Sequence, residues 1–357
     1  MGCTGSGVGS VCKRLHGHAV DAVRQAVVCH ARPVAEPIAR VTLADVAAAA
    51  GVNPATVSRA LTRPDLVAEA TRTRVLAEAD RLGYVPDRAA RSLARGRTGA
   101  IGIVVPDITN PFFAAVVRAA QGAAADADHL LLLGDSRQDP AEETRLVAAL
   151  APQVDALVLC APVGSPAPAP TPLVLVNSVR RGIPSVVVDQ RAVVDLAVDH
   201  LRDLGHRRIA LVRGPVGYWS SRQRDGRAAS GDLMALGPVT PDHAGGVQAA
   251  DLARGVRATA VVAFNDLVAL GVLARLHELG VSVPGTMSVV GADDVAVAAM
   301  AAPSLTTVAA PVDDLGRCAV ATALALVRGE TVRAQVVLEP WLVVRGSTAP
   351  LRRARAR

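Results

Sequence analysis

Aromatic residues are nearly absent from this chain: three Phe, two Tyr and two Trp in 357 residues. Its core must therefore come from Val, Leu, Ile and Ala, which the 51% hydrophobic fraction supplies. Lysine is scarcer still, since Lys13 is the only one and every other basic residue is Arg. The five cysteines, Cys3, Cys12, Cys29, Cys160 and Cys318, form no C-x-x-C pair. Their odd number and irregular spacing argue against a disulfide framework and a zinc site, and favour a reducing compartment. No apolar run approaches the roughly 18–20 residues of a membrane span. The first apolar stretch is interrupted by Arg24 and Gln25, so no secretory leader is expected and the expected location is cytoplasmic. There is no G-x-x-x-x-G-K-[ST] loop, no G-x-S-x-G elbow and no H-E-x-x-H pair. The histidines show no metal spacing. These absences predict a protein that is not an enzyme and carries neither metal nor cofactor.

Charge is unevenly spread. Residues 1–99 hold 14 Arg or Lys against 8 Asp or Glu, whereas residues 100–357 hold 24 of each. Four of those later arginines lie in the tail 351–357. A basic head on a near-neutral body fits a polyanionic partner for the head alone, although a solvated surface gives the same count.

Residues 1–39 are Gly-rich at first and weakly periodic, and read as a disordered extension. From Arg40 the pattern sharpens. Thr42 to Ala50 reads as a short helix with Leu43, Val46 and Ala47 on one face, broken by Gly51. Asn53 and Pro54 form an N-cap and a first helical position, opening a helix to about Leu61 with Val57 and Leu61 inward. Thr71 to Leu82 reads as a third helix with Val75, Leu76 and Ala79 inward, ended by Gly83. From Ala100 apolar runs alternate with helical stretches. Strands are expected at 100–105, 130–133, 156–160, 173–176, 185–188, 209–212, 260–263 and 288–290. This is a parallel α/β pattern, and its length suits two similar subdomains.

Two short helices joined by a tight Gly-containing turn make a helix-turn-helix, or else part of an ordinary three-helix bundle. In the first case the second helix places its N-terminal residues in a DNA major groove. Arg59 then suits guanine O6 and N7. Pro54 and Ala55 offer apolar surface, and Thr56 and Ser58 suit phosphate oxygens.

The run 41–59, VTLADVAAAAGVNPATVSR, resembles the DNA-binding head of the LacI/GalR family, as do Leu82-Gly83-Tyr84-Val85-Pro86 and Ala90-Arg91-Ser92-Leu93-Ala94. The likeness resumes at 101–113, 261–266, 289–294, 303–308 and 343–348, and so covers about residues 40–350. It implies a helix-turn-helix head over 40–86, a hinge over 87–99, and a two-lobed, periplasmic-binding-protein-like effector and dimerisation body over 100–350. It implies a homodimeric repressor that binds a pseudo-palindromic double-stranded operator and answers to a small, sugar-like effector. DNA contacts would come from Thr42, Pro54, Ala55, Thr56, Ser58 and Arg59, with Leu93 wedged into the minor groove. The effector would meet Phe112, Phe113, Arg224, Asn265 and Asp293, with Asp107, Asn110 and Trp219 nearby. Asn265 also reads as a plain helix cap, and Phe112 and Phe113 as plain core.

Several positions depart from the family pattern. Ala68 stands where a capping Ser is usual, a loss of roughly 1 kcal/mol, and Thr62 where Asn is common. Residues 161–170 alternate with prolines where a helix is usual. The segment 224–227 looks shortened, and Val239 and Ala292 replace common aromatics. A pure solute-binding protein is opposed by the head sequence and the missing leader. A sugar-modifying enzyme is opposed by the missing catalytic motifs.

Overall fold

The computed structural model describes residues 41–84, 97–164, 171–228 and 231–351. The extension 1–39, Leu93 with most of the hinge, Pro166, Pro168 and Pro170, and the tail beyond Leu351 lie outside those residues. The chain divides into two compact units, Met1–Asp87 and Arg88–Arg357.

In the first unit, helix α1 (Leu43–Ala50) starts at a full capping box. The Thr42 hydroxyl accepts from the Asp45 N–H, and the Asp45 carboxylate accepts from the Thr42 N–H at 2.8 Å. Gly51 ends it at φ 63°, a left-handed conformation that a side chain would disfavour. Helix α2 (Pro54–Thr62) is capped by Asn53, whose Oδ1 accepts from the Thr56 N–H at 2.8 Å. Helix α3 (Glu69–Leu82) begins two residues before the expected Thr71, and its N-cap Ala68 makes no side-chain bond. Val46, Ala47, Ala50, Val57, Ala60, Val75 and Ala79 are buried together, with Leu43, Leu61 and Tyr84 packed against them. Leu76 is a correction: it is 45% exposed. One step beyond Val75 turns a helical side chain by about 100°, which carries Leu76 off the buried face.

The second unit is built on two six-stranded sheets. The first has the order β11-β5-β4-β3-β1-β2, all parallel: β1 (Ala100–Val105), β2 (Leu130–Asp135), β3 (Ala156–Cys160), β4 (Leu173–Val176), β5 (Ser185–Val188) and β11 (Gln335–Leu338). The second has the order β12-β10-β9-β8-β6-β7: β6 (Ile209–Val212), β7 (Met234–Leu236), β8 (Ala260–Val262), β9 (Ser288–Asp293), β10 (Thr306–Ala309) and an antiparallel edge strand β12 (Trp341–Val343). Strands β1, β3 and β5 are buried throughout, as parallel strands covered on both faces must be. Helices α4 (Pro111–Asp126) and α5 (Pro140–Leu150) follow β1 and β2, and α11 (Val312–Val327) returns to pack on α4. Helices α6 (Gln190–Asp203), α7 (Trp219–Ala228), α8 (His243–Gly255), α9 (Asp266–Glu278) and the short α10 (Ala296–Met300) complete the second lobe. Helices α8 and α9 cross in close contact at Gly246 and Gly271. A Cβ on either would sit 2.1 Å from a backbone oxygen of the other helix.

The chain passes between lobes three times, after β5, after β10 and after β11. All eight expected strands are present. Strands β7, β10, β11 and β12 were not expected from periodicity. Two of them span only three residues, and β11 alternates exposed and half-buried as a sheet edge does. No helix occupies 161–164, among the described residues, in line with the proline-rich composition there.

Candidate functional site

In the head, Pro54, Ala55 and Arg59 are exposed, and Thr56 and Ser58 are partly so. The Thr56 hydroxyl donates to Asn53 Oδ1 at 3.0 Å, so it would have to exchange that partner to donate to a phosphate. Thr42 is exposed, with its hydroxyl donating to Asp45 Oδ2 at 2.7 Å. Two capped helix starts thus lie in one small unit, one of them beside the exposed Arg59.

In the second unit a cleft opens at the C-terminal ends of the strands, where α/β sheets bind ligands. Its apolar wall includes Phe112, Phe113, Phe264, Tyr218, Val188 and Val308. Phe112 and Phe113 meet edge to face with centroids 5.2 Å apart. All three phenylalanines of the chain are in this wall, together with one of its two tyrosines. That concentration was the unused signal for Phe264 and Tyr218. Phe264 lies so close over the Gly214 backbone that a Cβ there would come within 2.4 Å of its ring. It supplies aromatic surface to the cleft that Ala292, standing where an aromatic is common, also lines. Val239 is buried in the second-lobe core.

Asp107, Asn110, Phe112, Phe113, Arg224, Asn265 and Asp293 all line the cleft. Trp219 does not. Its neighbours Tyr218 and Ser220 do, and Trp219 is the half-buried first residue of α7. Gln138, Asn177 and Gln190 line it too. They sit outside the motifs and carried no sequence signal beyond an amide near a strand end.

Arg224 is buried beneath the cleft. Its Nε donates to Gln190 Oε1 at 2.8 Å, its Nη1 donates to the Phe264 carbonyl, and its guanidinium lies 4.9 Å from the Phe264 ring centroid. Burial brings its pKa down to about 10, with the Asp293 carboxylate acting in the opposite direction. It keeps its charge at neutral pH. Asp293 ends β9 at φ 108°, outside the range that side chains favour. Gln138, Ala161 and Asn177 in the cleft lining also have positive φ. Strained backbone of this kind persists where surrounding structure fixes it, and it collects at ligand sites. Burial, then the neighbouring Asp266, push the Asp293 carboxyl well above the usual range, and Arg224 lowers it. Burial, with Asp107 and Glu143 nearby, likewise raises the Tyr218 phenol. Asn110 and Asn265 are caps as well as lining residues: their Oδ1 atoms accept from the Phe112 and Val268 N–H groups at 3.0 and 2.9 Å. Among the described residues, no group of His, Cys, Asp and Glu could hold a metal. No helix of the described residues is long and apolar enough to cross a membrane.

These features have counterparts in known proteins. The profile of bacterial regulatory proteins of the lacI family matches residues 42–87, and that of the periplasmic binding protein-like domain matches residues 198–348. The chain is 32% identical over 333 residues to the HTH-type transcriptional repressor CytR of Escherichia coli K12, covering 87% of this chain and 97% of that one. It is 33% identical over 337 residues to the HTH-type transcriptional regulator GalR of the same organism, covering 86% and 96%. Among solved structures it resembles the lac repressor dimer bound to operator and the anti-inducer ONPF, with a TM-score of 0.77, 28% identity, and coverage of 87% of this chain and 99% of that one. The CelR–cellobiose complex gives a TM-score of 0.61 at 30% identity, covering 86% and 100%. The chain belongs to the lacI family of bacterial regulatory proteins, and is a DNA-binding transcriptional regulator.

Proposed function

We propose that the protein is a cytoplasmic, homodimeric repressor that reads a pseudo-palindromic operator and is controlled by a sugar-like effector held between the lobes. It acts by binding alone, with no chemical step and no cofactor. One observation carries this reading: a single chain joins a capped helix pair exposing Arg59 to a cleft in which aromatic walls meet Arg224 and Asp293. In the head, Arg59 makes the base contact, Pro54 and Ala55 give apolar contact, and Thr42, Thr56 and Ser58 hold phosphates. Leu93 acts as the minor-groove wedge. In the cleft, Phe112, Phe113 and Phe264 face the C–H surfaces of the sugar, while Arg224, Asn265, Asp293, Asp107 and Asn110 bond its hydroxyls. The relative crystallised with cellobiose supports a carbohydrate for this cleft. The effector shifts DNA affinity only through unequal affinity for two body conformations.

Selection of bound duplexes from a random pool at near-physiological salt tests the head, and release of the selected duplex by sugars tests the body. An enriched pseudo-palindrome released by a sugar is the expected result. Salt-sensitive binding without enrichment would overturn the reading of the operator.

A further inference from the structure

The arginines of residues 352–357 follow directly on a basic surface of the second lobe. Arg208 stands just before β6 and Arg257 shortly before β8, so both lie at the N-terminal ends of their strands. Arg207 precedes Arg208, and Arg254 is in the last turn of α8. All four are exposed. Arg208 joins the two segments: its Nε donates to the Arg257 carbonyl at 2.8 Å and its Nη2 to the Val256 carbonyl. The effector cleft opens at the C-terminal ends of the strands, so this patch is a separate surface.

Residues 349–351 return to the same place. The buried His206 donates from Nε2 to the Ala349 carbonyl and accepts at Nδ1 from the Thr259 hydroxyl, both at 3.1 Å. The Leu351 N–H donates to the Leu204 carbonyl at 2.8 Å. Residues 352–357, Arg-Arg-Ala-Arg-Ala-Arg, therefore set out from beside Arg207 and Arg208. Six residues extend at most roughly 20 Å, which keeps their four arginines near the patch.

Little acid answers this charge. Asp203 is the one carboxylate in residues 203–208, 254–259 and 349–357. Acids on the adjoining elements are committed: Asp199 and Asp232 face Arg202, and Asp251 faces Arg275. Among the described residues, Arg207, Arg208, Arg254 and Arg257 form no ion pair. Arg145, Arg317 and Arg328, on other surfaces, each pair with an acid two or three residues away.

We infer that this pole of the second lobe is a second DNA-contact site, blind to sequence, through which a protein held on one duplex by its head grips another segment. Duplex DNA carries one phosphate charge per roughly 1.7 Å of axis, a continuous polyanion that suits eight guanidiniums gathered in one place. Guanidinium also meets phosphate in a two-pronged bond. These segments hold no Phe, Tyr or Trp to stack on a base, so phosphates are bound and sequence is not read. DNA is the polyanion at hand, because a head on its site holds neighbouring segments at high local concentration.

A bridging assay tests it. The full chain is loaded on an immobilised duplex of arbitrary sequence at about 100 mM salt, where phosphate contacts still hold, washed, and offered a second, labelled duplex. Protein concentrations are set so that every variant loads equally. Native protein should capture the second duplex, and less of it as salt rises. Removal of residues 352–357 breaks no described contact and should cut capture at least fivefold. The triple change Arg207→Gln, Arg254→Gln and Arg257→Gln spares the Arg208 bonds and should do the same, its folding checked by a melting curve. No capture by the native protein, or capture that either change leaves intact, would overturn the inference. So would a native protein that takes polyglutamate or anionic-lipid vesicles in place of the second duplex, since the patch would then serve another polyanion.

Discussion

Asp266→Asn should stabilise the protein, and more so as the pH rises. Asp266 opens α9 with no solvent exposure. Its Oδ1 accepts the Thr307 hydroxyl at 2.6 Å and its Oδ2 accepts the Val295 N–H at 2.9 Å. Loss of hydration pushes its carboxyl from 3.8 to about 7, against the opposing pull of those two bonds. A carboxyl with a higher pKa folded than unfolded holds its proton more tightly in the native state. Its contribution to stability is therefore fully present below pH 3.8 and is lost as pH rises to about 7. At about 1.4 kcal/mol per unit, the whole loss is at most roughly 4 kcal/mol. Asparagine is neutral and close to isosteric. Its Oδ1 can take the Val295 N–H, and its Nδ2 can donate to the Thr307 hydroxyl, which accepts as well as donates. The stability gained by the variant should grow by about 3 kcal/mol between pH 5 and pH 8. Urea unfolding of both proteins at pH 5, 6.5 and 8 measures it. Burial lowers the pKa of His200 and His206 from 6.5, so they destabilise the native state as pH falls through that value. Their effect is common to both proteins and cancels in the difference. A difference that does not change with pH, or a variant less stable than the native protein at pH 8, would refute the reasoning.

Arg59→Ala should remove about 1–3 kcal/mol of base discrimination, read as the ratio of affinities for the selected operator and a single-base variant; an unchanged ratio would show that another residue reads that base. Ala68→Ser should raise head stability by about 1 kcal/mol, because α3 now begins without a side-chain cap; a melting curve of the full chain resolves the change if the head unfolds as a separate transition. Gly271→Ala should cost more than about 2 kcal/mol in urea unfolding, since the new methyl would meet the His243 carbonyl at 2.1 Å and force α8 and α9 apart; a neutral result would mean that the crossing relaxes easily.

The strand and helix alternation was legible because parallel strands covered on both faces are unbroken apolar runs, as at 100–105 and 156–160. Caps were legible for the same local reason: Asn53-Pro54 and Gly51 act within four residues. What escaped was decided at a distance. Strands β11 and β12 are short edges whose pairing partners lie about 150 and 30 residues away in sequence. Leu76 has the chemistry of a core residue and the wrong angular position. In the cleft, Asn265 and Asp293 stood in motifs, whereas Gln190 matters because α6 starts beside a guanidinium 34 residues further on. The Trp219 expectation missed by one residue on each side, the span over which a helix start turns one side chain toward the cleft and the next away.

The interleaving of the two lobes has a genetic consequence. The head is complete once residue 84 has been made, yet the first sheet waits for Gln335–Leu338 and the second for Trp341–Val343. A stop codon placed between residues 310 and 334 deletes a strand from both sheets at once and leaves β5 and β10 as bare edges open to pairing with other chains. Truncation alleles across those codons should therefore behave alike, as a DNA-binding head attached to an aggregation-prone remnant. Missense alleles alone can separate the loss of effector response from the loss of the body.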